Sequence, residues 1–341
     1  MTMNKFLYIY TFYSTDPCRL RNFTASIEQL KSVEQEADIC VVEQNGLSAI
    51  PDATFHHRVD IEDTNFHKTG LLNFAVANHP DYTHYVMIDA DAWVDAGVVD
   101  NIHNHCDDAP LVFPYETCVY LSEAQTRRKC RHDAVDIPLR YNANIPITRQ
   151  TGLINCFSKE TYQQVGGFDG EFVGWGAEDD AFVFKIRRVT GKRELRCKGG
   201  AVLHLWHKKV NDRSYLDGLR YKKNRAYCSL IRRMTDEEFK RYLAHETTLD
   251  EIYKDFVARD GVEGDATLIV GPTLRLKVNT SIYYVHTLKP TMTEFLTEVL
   301  TEDGPDTVKS FVNSYVTEKS TYPEVMKEVE TFYEKHGITN D

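Results

Sequence analysis

A hydrophobic run from His84 to Ile88 stops abruptly at Asp89-Ala90-Asp91. Such a short apolar run predicts a buried strand, and its end delivers two carboxylates. Upstream, Phe6–Phe12 reads as a first strand and a helix follows to about Glu36. Asp38–Glu43 reads as a second strand ended by Asn45-Gly46. Residues 66–78 carry Leu71, Leu72, Ala75 and Val76 at helical spacing, which predicts an amphipathic helix before the third strand, His84–Asp89. Strands alternating with helices imply an α/β fold with a mainly parallel, Rossmann-like sheet, in which ligands bind at the carboxyl ends of strands. Asp89 and Asp91 fall at that end.

About ninety residues further on, Gly174-Trp175-Gly176 leads into Glu178-Asp179-Asp180. The glycines permit close approach of backbone to a ligand, and Trp175 offers an apolar face to a sugar ring. Three adjacent carboxylates repel one another, which raises one of them toward general-base use. An acidic helix N-terminus accounts for the acids through the macrodipole, but not for a tryptophan between glycines. A helix is expected from Asp179 to Val189, after a strand at Ile154–Phe157 and a short helix at Lys159–Val165. Residues 101–150, with four prolines and a basic knot at Arg127–His132, read as irregular.

His204 and His207, followed by Lys208 and Lys209, are candidate metal ligands. Their spacing of three puts them on one face of a helical turn and makes them diverge on a strand. Imidazole beside carboxylate favours Mn²⁺ over Mg²⁺. The His103–Cys106 cluster reads as surface.

The net charge of −11 conceals an asymmetry. Residues 185–233 hold sixteen Lys/Arg against three acids (+13), whereas residues 234–341 hold eleven against twenty-one (−10). A domain boundary is therefore expected near 235, dividing residues 1–234 from an acidic, mainly helical subdomain, 235–341. That subdomain is expected to hold helices near 236–245, 248–258, 290–302, 305–318 and 323–336, with a strand pair near 267–286. The basic stretch, with Arg127–Arg131, suits a diphosphate, a polyanion or an anionic surface, or is a solvated face. No stretch is long and apolar enough for a transmembrane segment. The eight cysteines form no Cys-x-x-Cys pair, so reduced thiols and a cytoplasmic setting, in a bacterial or virus-infected cell, are expected.

With these motifs in place, residues 5–210 resemble the GT-A fold nucleotide-sugar glycosyltransferases, in particular the β-1,4-galactosyltransferase group and its chondroitin-polymerase-like relatives. Phe66-His-Lys68-Thr-Gly-Leu71-Leu72-Asn73 is similar to the family's Phe-Asn-Arg-Ala-Lys-Leu-Leu-Asn. Asp89-Ala-Asp91 stands for its Asp-Val-Asp, residues 174–180 for its Gly-Trp-Gly-Gly-Glu-Asp-Asp, and His204-Leu-Trp-His207 for its Met-Ile-Arg-His. The resemblance implies metal ligation by Asp91, His204 and His207, ribose contact by Asp89, and a nucleotide site lined by Thr11, Phe12, Phe66 and Lys68. It makes Asp179 the catalytic base, with Glu178, Asp180 and Trp175 toward the acceptor or the transferred sugar. It implies an inverting, Mn²⁺- or Mg²⁺-dependent transfer from a UDP-sugar. The family's arginine-rich Pro-Phe-Arg-Asn-Arg segment is replaced here by Tyr10-Thr-Phe-Tyr-Ser-Thr15.

Two acceptors stay open at this stage: a saccharide, or a hydroxymethylated base in DNA reached through the basic stretch. A nucleotidyltransferase would be expected to carry a glycine-rich loop after the first strand, and Tyr10–Cys18 has no glycine. A non-catalytic carbohydrate-binding relative would have no use for a base beside a metal.

Overall fold

The computed structural model describes residues 4–46 except 15, 53–131 except 63–64, 151–208, 219–259, 323–339 and short pieces between 274 and 309. A seven-stranded sheet forms the centre, in the order β3-β2-β1-β4-β8-β6-β9. Its strands are β1 (Phe6–Phe12), β2 (Asp38–Gln44), β3 (Phe55–Val59), β4 (His84–Ile88), β6 (Val112–Phe113), β8 (Ile154–Ser158) and β9 (Leu195–Arg196). β3, β2, β1 and β4 run parallel, and β8 enters antiparallel beside β4, Ile88 facing Ile154. A three-stranded sheet joins β5 (Ala92–Val94), β10 (Ala201–His204) and β7 (Thr117–Tyr120). The mainly parallel α/β architecture expected of a GT-A fold is thus present.

Local chemistry sets the helix starts. α1 (Pro17–Val33) opens with proline at the first position, and the Asp16 side chain accepts from the Cys18 amide at 2.7 Å. α2 (Lys68–Asn78) buries Leu71, Leu72, Ala75 and Val76 as its spacing requires. Asp95 caps α3 (Ala96–His105), and Ser122 with Gln125 forms a capping box on α4 (Glu123–Lys129). Ser158 caps α5 (Lys159–Gln164).

Residues 101–131 are therefore more regular than their prolines suggested. The short strands β6 and β7 draw their stability from pairing with β8, β9 and β10, a tertiary effect invisible in a window of sequence. The basic knot begins inside α4, while residues 132–150 lie outside the described residues. β3 is an edge strand of mixed polarity, and no apolar run announces it.

After α6 (Glu178–Thr190) come α7 (Leu219–Arg233), α8 (Asp236–Leu243) and α9 (Leu249–Arg259). Phe172 and Ala181 share one apolar cluster with Tyr227, Ile231, Met234, Phe239, Tyr242, Leu249 and Ile252, so packing continues across residue 235. The Glu171 carboxylate accepts the amides of Leu249 and Asp250 at 2.7 and 3.2 Å, closing the start of α9. The expected strand pair is β11 (Leu274–Val278) with β12 (Ser281–Val285), and the last expected helix is α10 (Pro323–His336). The helices expected near 290–302 and 305–318 lie largely outside the described residues.

Candidate active site

β4 ends at Ile88, and the chain turns sharply: the Asp89 amide donates to Leu153 O at 2.8 Å and the Ala92 amide to Asp89 O at 2.9 Å. The Asp89 carboxylate in turn accepts from the Leu153 amide at 3.0 Å. These bonds hold the Asp-x-Asp turn against the loop before β8. Asp91, two residues on, points to the end of β10, where its backbone carbonyl accepts from Leu205 at 2.8 Å.

His204 closes β10, and His207 follows in irregular chain. The alternative left open by their spacing resolves in favour of convergence. Asp91 Oδ2 lies 3.1 Å from His207 Nε2 and 3.8 Å from His204 Nε2. The segment beyond β10 is pinned from both sides: Trp206 N donates to Thr126 Oγ1 at 2.7 Å, and Asn22 Nδ2 donates to Trp206 O at 2.8 Å. Tyr120 stacks on the His204 ring with centroids 4.6 Å apart. One carboxylate and two imidazoles within 4.8 Å of one another make a donor set suited to a Mn²⁺-class ion. Burial would raise the Asp91 carboxyl, but the His204 and His207 rings outweigh it and hold Asp91 below the ordinary carboxylate range.

The acidic loop leads into α6. Gly174, Gly176 and Ala177 all have positive φ (79°, 108° and 69°). At Gly176 a Cβ would also meet the Tyr221 ring at 2.6 Å, so glycine is required there twice over. Gly174 N donates to Phe66 O at 2.8 Å, and Asn224 Nδ2 donates to Val173 O at 3.1 Å. α6 starts without a side-chain cap at Ala177. Its first turn carries Glu178, Asp179 and Asp180, placed where the helix dipole favours negative charge. Glu178 turns back to accept from the Gly176 amide at 2.9 Å.

Lys68, at the start of α2, is 8% exposed and joins the two acidic segments. Its ammonium lies 2.9 Å from Asp89, 3.1 Å from both oxygens of Asp179 and 3.5 Å from Glu178. Three carboxylates thus share one lysine. Burial, with Glu178 and Asp89 nearby, pushes the Asp179 carboxyl well above its ordinary value against the opposing pull of Lys68. Burial would lower the lysine, yet the three carboxylates hold its proton firmly. Asp180 instead accepts from Thr151 Oγ1 at 2.7 Å and pairs with Arg225 of α7 at 2.9 Å. Trp175 is 50% exposed and stacks on Tyr221 at 5.3 Å and 13°.

The structure brings Lys68, Asp89, Glu178 and Asp179 into one charged cluster, and Asp91, His204 and His207 into another. Phe66 stacks on Tyr13 at 6.4 Å, while Thr11 and Phe12 are buried and Phe12 lies flat on Phe23 at 4.4 Å. Thr151, Tyr221 and Arg225 were not among the residues expected from sequence. Arg225 and Tyr221 sit in the basic stretch, where their charge and ring do not stand out from their neighbours.

Residues 133–208 match the sequence profile described as the N-terminal domain of galactosyltransferase. That segment is galactosyltransferase-like. It spans the acidic loop and both histidines, and it supports the enzyme class expected from the motifs, a glycosyltransferase. No curated protein matches the chain. Among solved structures, the catalytic domain of Drosophila β1,4-galactosyltransferase 7 in complex with xylobiose is 16% identical, over 62% of this chain and 78% of that one, with a TM-score of 0.37. A mannosyltransferase from Pyrobaculum calidifontis in complex with GDP-Man and Mn²⁺ is 17% identical over 78% of each chain, with a TM-score of 0.42. GalNAc-T7 with UDP, GalNAc and Mn²⁺ is 11% identical, over 83% of this chain and 62% of that one, with a TM-score of 0.43. Superpositions at this level support no residue-by-residue correspondence.

Most described members of the basic stretch have internal partners. Lys185 donates to Gly167 O at 3.0 Å, and Arg187 forms a fork on Glu194 at 2.9 and 2.8 Å. Arg188 reaches Ile231 O and Asp236 and lies over Phe239, while Arg232 lies over Phe184. Arg196 lies over Phe113, and Lys223 pairs with Asp250 at 2.9 Å. In the basic knot, Arg127 pairs with Glu123 and Lys129 lies over Trp93. Of the described residues, no helix is long and apolar enough to cross a membrane.

Proposed function

We propose that the chain is a metal-dependent, inverting glycosyltransferase that moves a sugar from a UDP-sugar to a saccharide hydroxyl. The observation that carries this reading is the approach of a buried, proton-seeking carboxylate, Asp179, to the Asp-x-Asp turn through the shared ammonium of Lys68. Asp91, His204 and His207 would hold Mn²⁺. When bound, that ion supplies positive charge to the departing diphosphate.

The remaining chemistry belongs to the chain. Asp179 takes the proton of the acceptor hydroxyl as its oxygen bonds to the anomeric carbon and the sugar–phosphate bond breaks on the far side. One in-line displacement inverts the anomeric centre. Lys68 orients the base and balances the carboxylates around it. Thr151 and Arg225 hold Asp180 beside it, and the exposed face of Trp175 receives the acceptor ring. Asp89 and Phe66 belong to the donor side. Thr11 and Phe12, being buried, would serve there as its wall.

A saccharide acceptor is favoured over DNA because several basic side chains of the stretch, among them Lys185, Arg187, Lys223 and Arg225, are engaged within the fold. The deciding experiment follows UDP release from a panel of UDP-sugars, with Mn²⁺ or EDTA, and with oligosaccharides or hydroxymethylated DNA added. Mn²⁺-dependent release that rises with an oligosaccharide supports the reading. Release stimulated only by DNA, and falling steeply with salt, would replace the acceptor. No release from any donor would sink the enzyme reading and leave a carbohydrate-binding relative.

A further inference from the structure

A second group of ligand atoms lies at the β3 edge of the sheet. Cys40 on β2, His57 on β3 and His79, just past α2, bring a thiol and two imidazoles within 4.8 Å of one another. His57 Nε2 and His79 Nε2 are 2.9 Å apart. Three separate elements thus converge, and no sequence spacing links their ligands.

We propose that Cys40, His57 and His79 form a second metal site, which takes an ion of the Zn(II) class and ties the edge strand to its neighbour and to the end of α2. Tetrahedral zinc with bonds of about 2.0–2.1 Å sets two imidazole nitrogens about 3.3–3.4 Å apart, and a thiolate about 3.6 Å from each. The two rings need to open by only a few tenths of an ångström, and the sulfur to close by about an ångström at most. A carboxylate-free set of one sulfur and two nitrogens selects zinc, cobalt or copper over magnesium, calcium and manganese. It is therefore chemically distinct from the Asp91 site, which holds no sulfur. Water completes the fourth position, and the half-buried rings leave it an approach.

Aromatic neighbours fix the two rings in place. Phe55 lies against His79 at 4.1 Å, Tyr82 meets His79 edge-on at 6.5 Å, and Phe74 meets His57 edge-on at 5.5 Å. Phe55 also faces Cys40 across the ladder. One of the two Nε2 atoms carries the hydrogen of their shared bond, and the other offers its lone pair. Burial pushes the Cys40 thiol up to about 12, so metal must displace its proton. The balance is one proton released to solvent from sulfur. The hydrogen shared between the two Nε2 atoms moves to the Nδ1 of its own ring. By contrast, at His84, Cys106 and Asp107, Asn4 Nδ2 already donates to the sulfur at 3.3 Å and to the carboxylate at 2.8 Å.

The test titrates Co(II), then Zn(II), into the full chain stripped by chelator. One equivalent of Co(II) is expected to give a thiolate-to-metal absorption band, which the sulfur-free Asp91 site does not produce. The band should vanish in Cys40→Ser and His57→Gln and persist in Cys106→Ser. Zn(II) should raise the melting temperature of the parent by more than that of His57→Gln, whose remaining rise comes from the Asp91 site. His57→Gln and His79→Gln alter half-buried positions and decide the matter even if Cys40→Ser fails to fold. Each should weaken Zn(II) binding on the order of 100-fold, since loss of an outer partner alone costs about 10–100-fold. Absence of a thiolate band, or a band and a Zn(II) affinity unchanged in His57→Gln and His79→Gln, overturns the site and leaves a histidine–histidine hydrogen bond.

Discussion

Lys68 donates to both carboxylate oxygens of Asp179 at 3.1 Å, and the same ammonium holds Asp89 at 2.9 Å. The Asp-x-Asp turn and the first turn of α6 therefore share one cation, and neither can move without disturbing the other.

Removing that cation leaves three carboxylates facing one another in a buried place. Lys68→Met is expected to lower stability by about 3–5 kcal/mol, the usual cost of orphaning a buried charge. Lys68→Arg should recover part of it. Urea denaturation measures both, and a Lys68→Met protein as stable as the parent would remove the shared-cation account.

Asp179→Asn keeps the shape and loses the proton acceptor. Turnover should fall about 10²–10⁴-fold, while calorimetric binding of UDP with Mn²⁺ stays close to the parent's. Near-normal turnover would exclude Asp179 as the base.

The raised Asp179 carboxyl fixes the direction of the pH dependence. The base works only when ionised, so kcat/KM should fall on the acid side at a pH above the ordinary carboxylate range. The native state keeps a proton that the unfolded chain has already lost. Stability from this group therefore declines as pH rises from the ordinary aspartate value through the raised one. Asp179→Asn should flatten that decline, and paired denaturation curves across the window will detect it.

Gly152 passes so close to the base that a Cβ there would lie 2.8 Å from Asp179 Oδ2. Gly152→Ala should displace the carboxylate and cut kcat by about tenfold or more, with little change in melting temperature. An alanine variant of full activity would show that the carboxylate does not act from this position.

Asp91→Ala should abolish the metal-dependent part of UDP binding, and His207→Ala should weaken it strongly. Calorimetry with Mn²⁺ and with EDTA separates that part from the rest; identical isotherms for parent and Asp91→Ala would dismiss the ligand.

The central strands and α2 were legible because their apolar residues recur at strand or helix spacing over whole elements, as in Leu71, Leu72, Ala75 and Val76. Asp89, Asp91 and the Glu178–Asp180 run were legible because each sits at an element boundary, where a buried run or a glycine-flanked tryptophan ends. β3, β6 and β7 were not, since runs of only two to five residues become strands only when neighbours pair with them. Arg225 and Thr151 escaped for a related reason: only folding brings them from positions 45 residues downstream and 29 upstream onto Asp180. The basic stretch reads differently once folded. Charge counted along the chain looked like an outward-facing surface, whereas Arg187, Arg188, Arg225 and Arg232 spend theirs on internal carboxylates, carbonyls and rings.

The apolar cluster beneath the acidic loop has a practical reach. Phe172 and Ala181 bracket Trp175 and Asp179, and both belong to one apolar cluster with side chains of α7, α8 and α9. A chain cut at residue 234 would retain every motif by which its chemistry is recognised, yet lose Phe239, Tyr242, Leu249 and Ile252 from the cluster beneath them. The segment from Phe239 to Ile252 is thus part of the support of the acidic loop, and an expression boundary drawn by motif alone would cut it away.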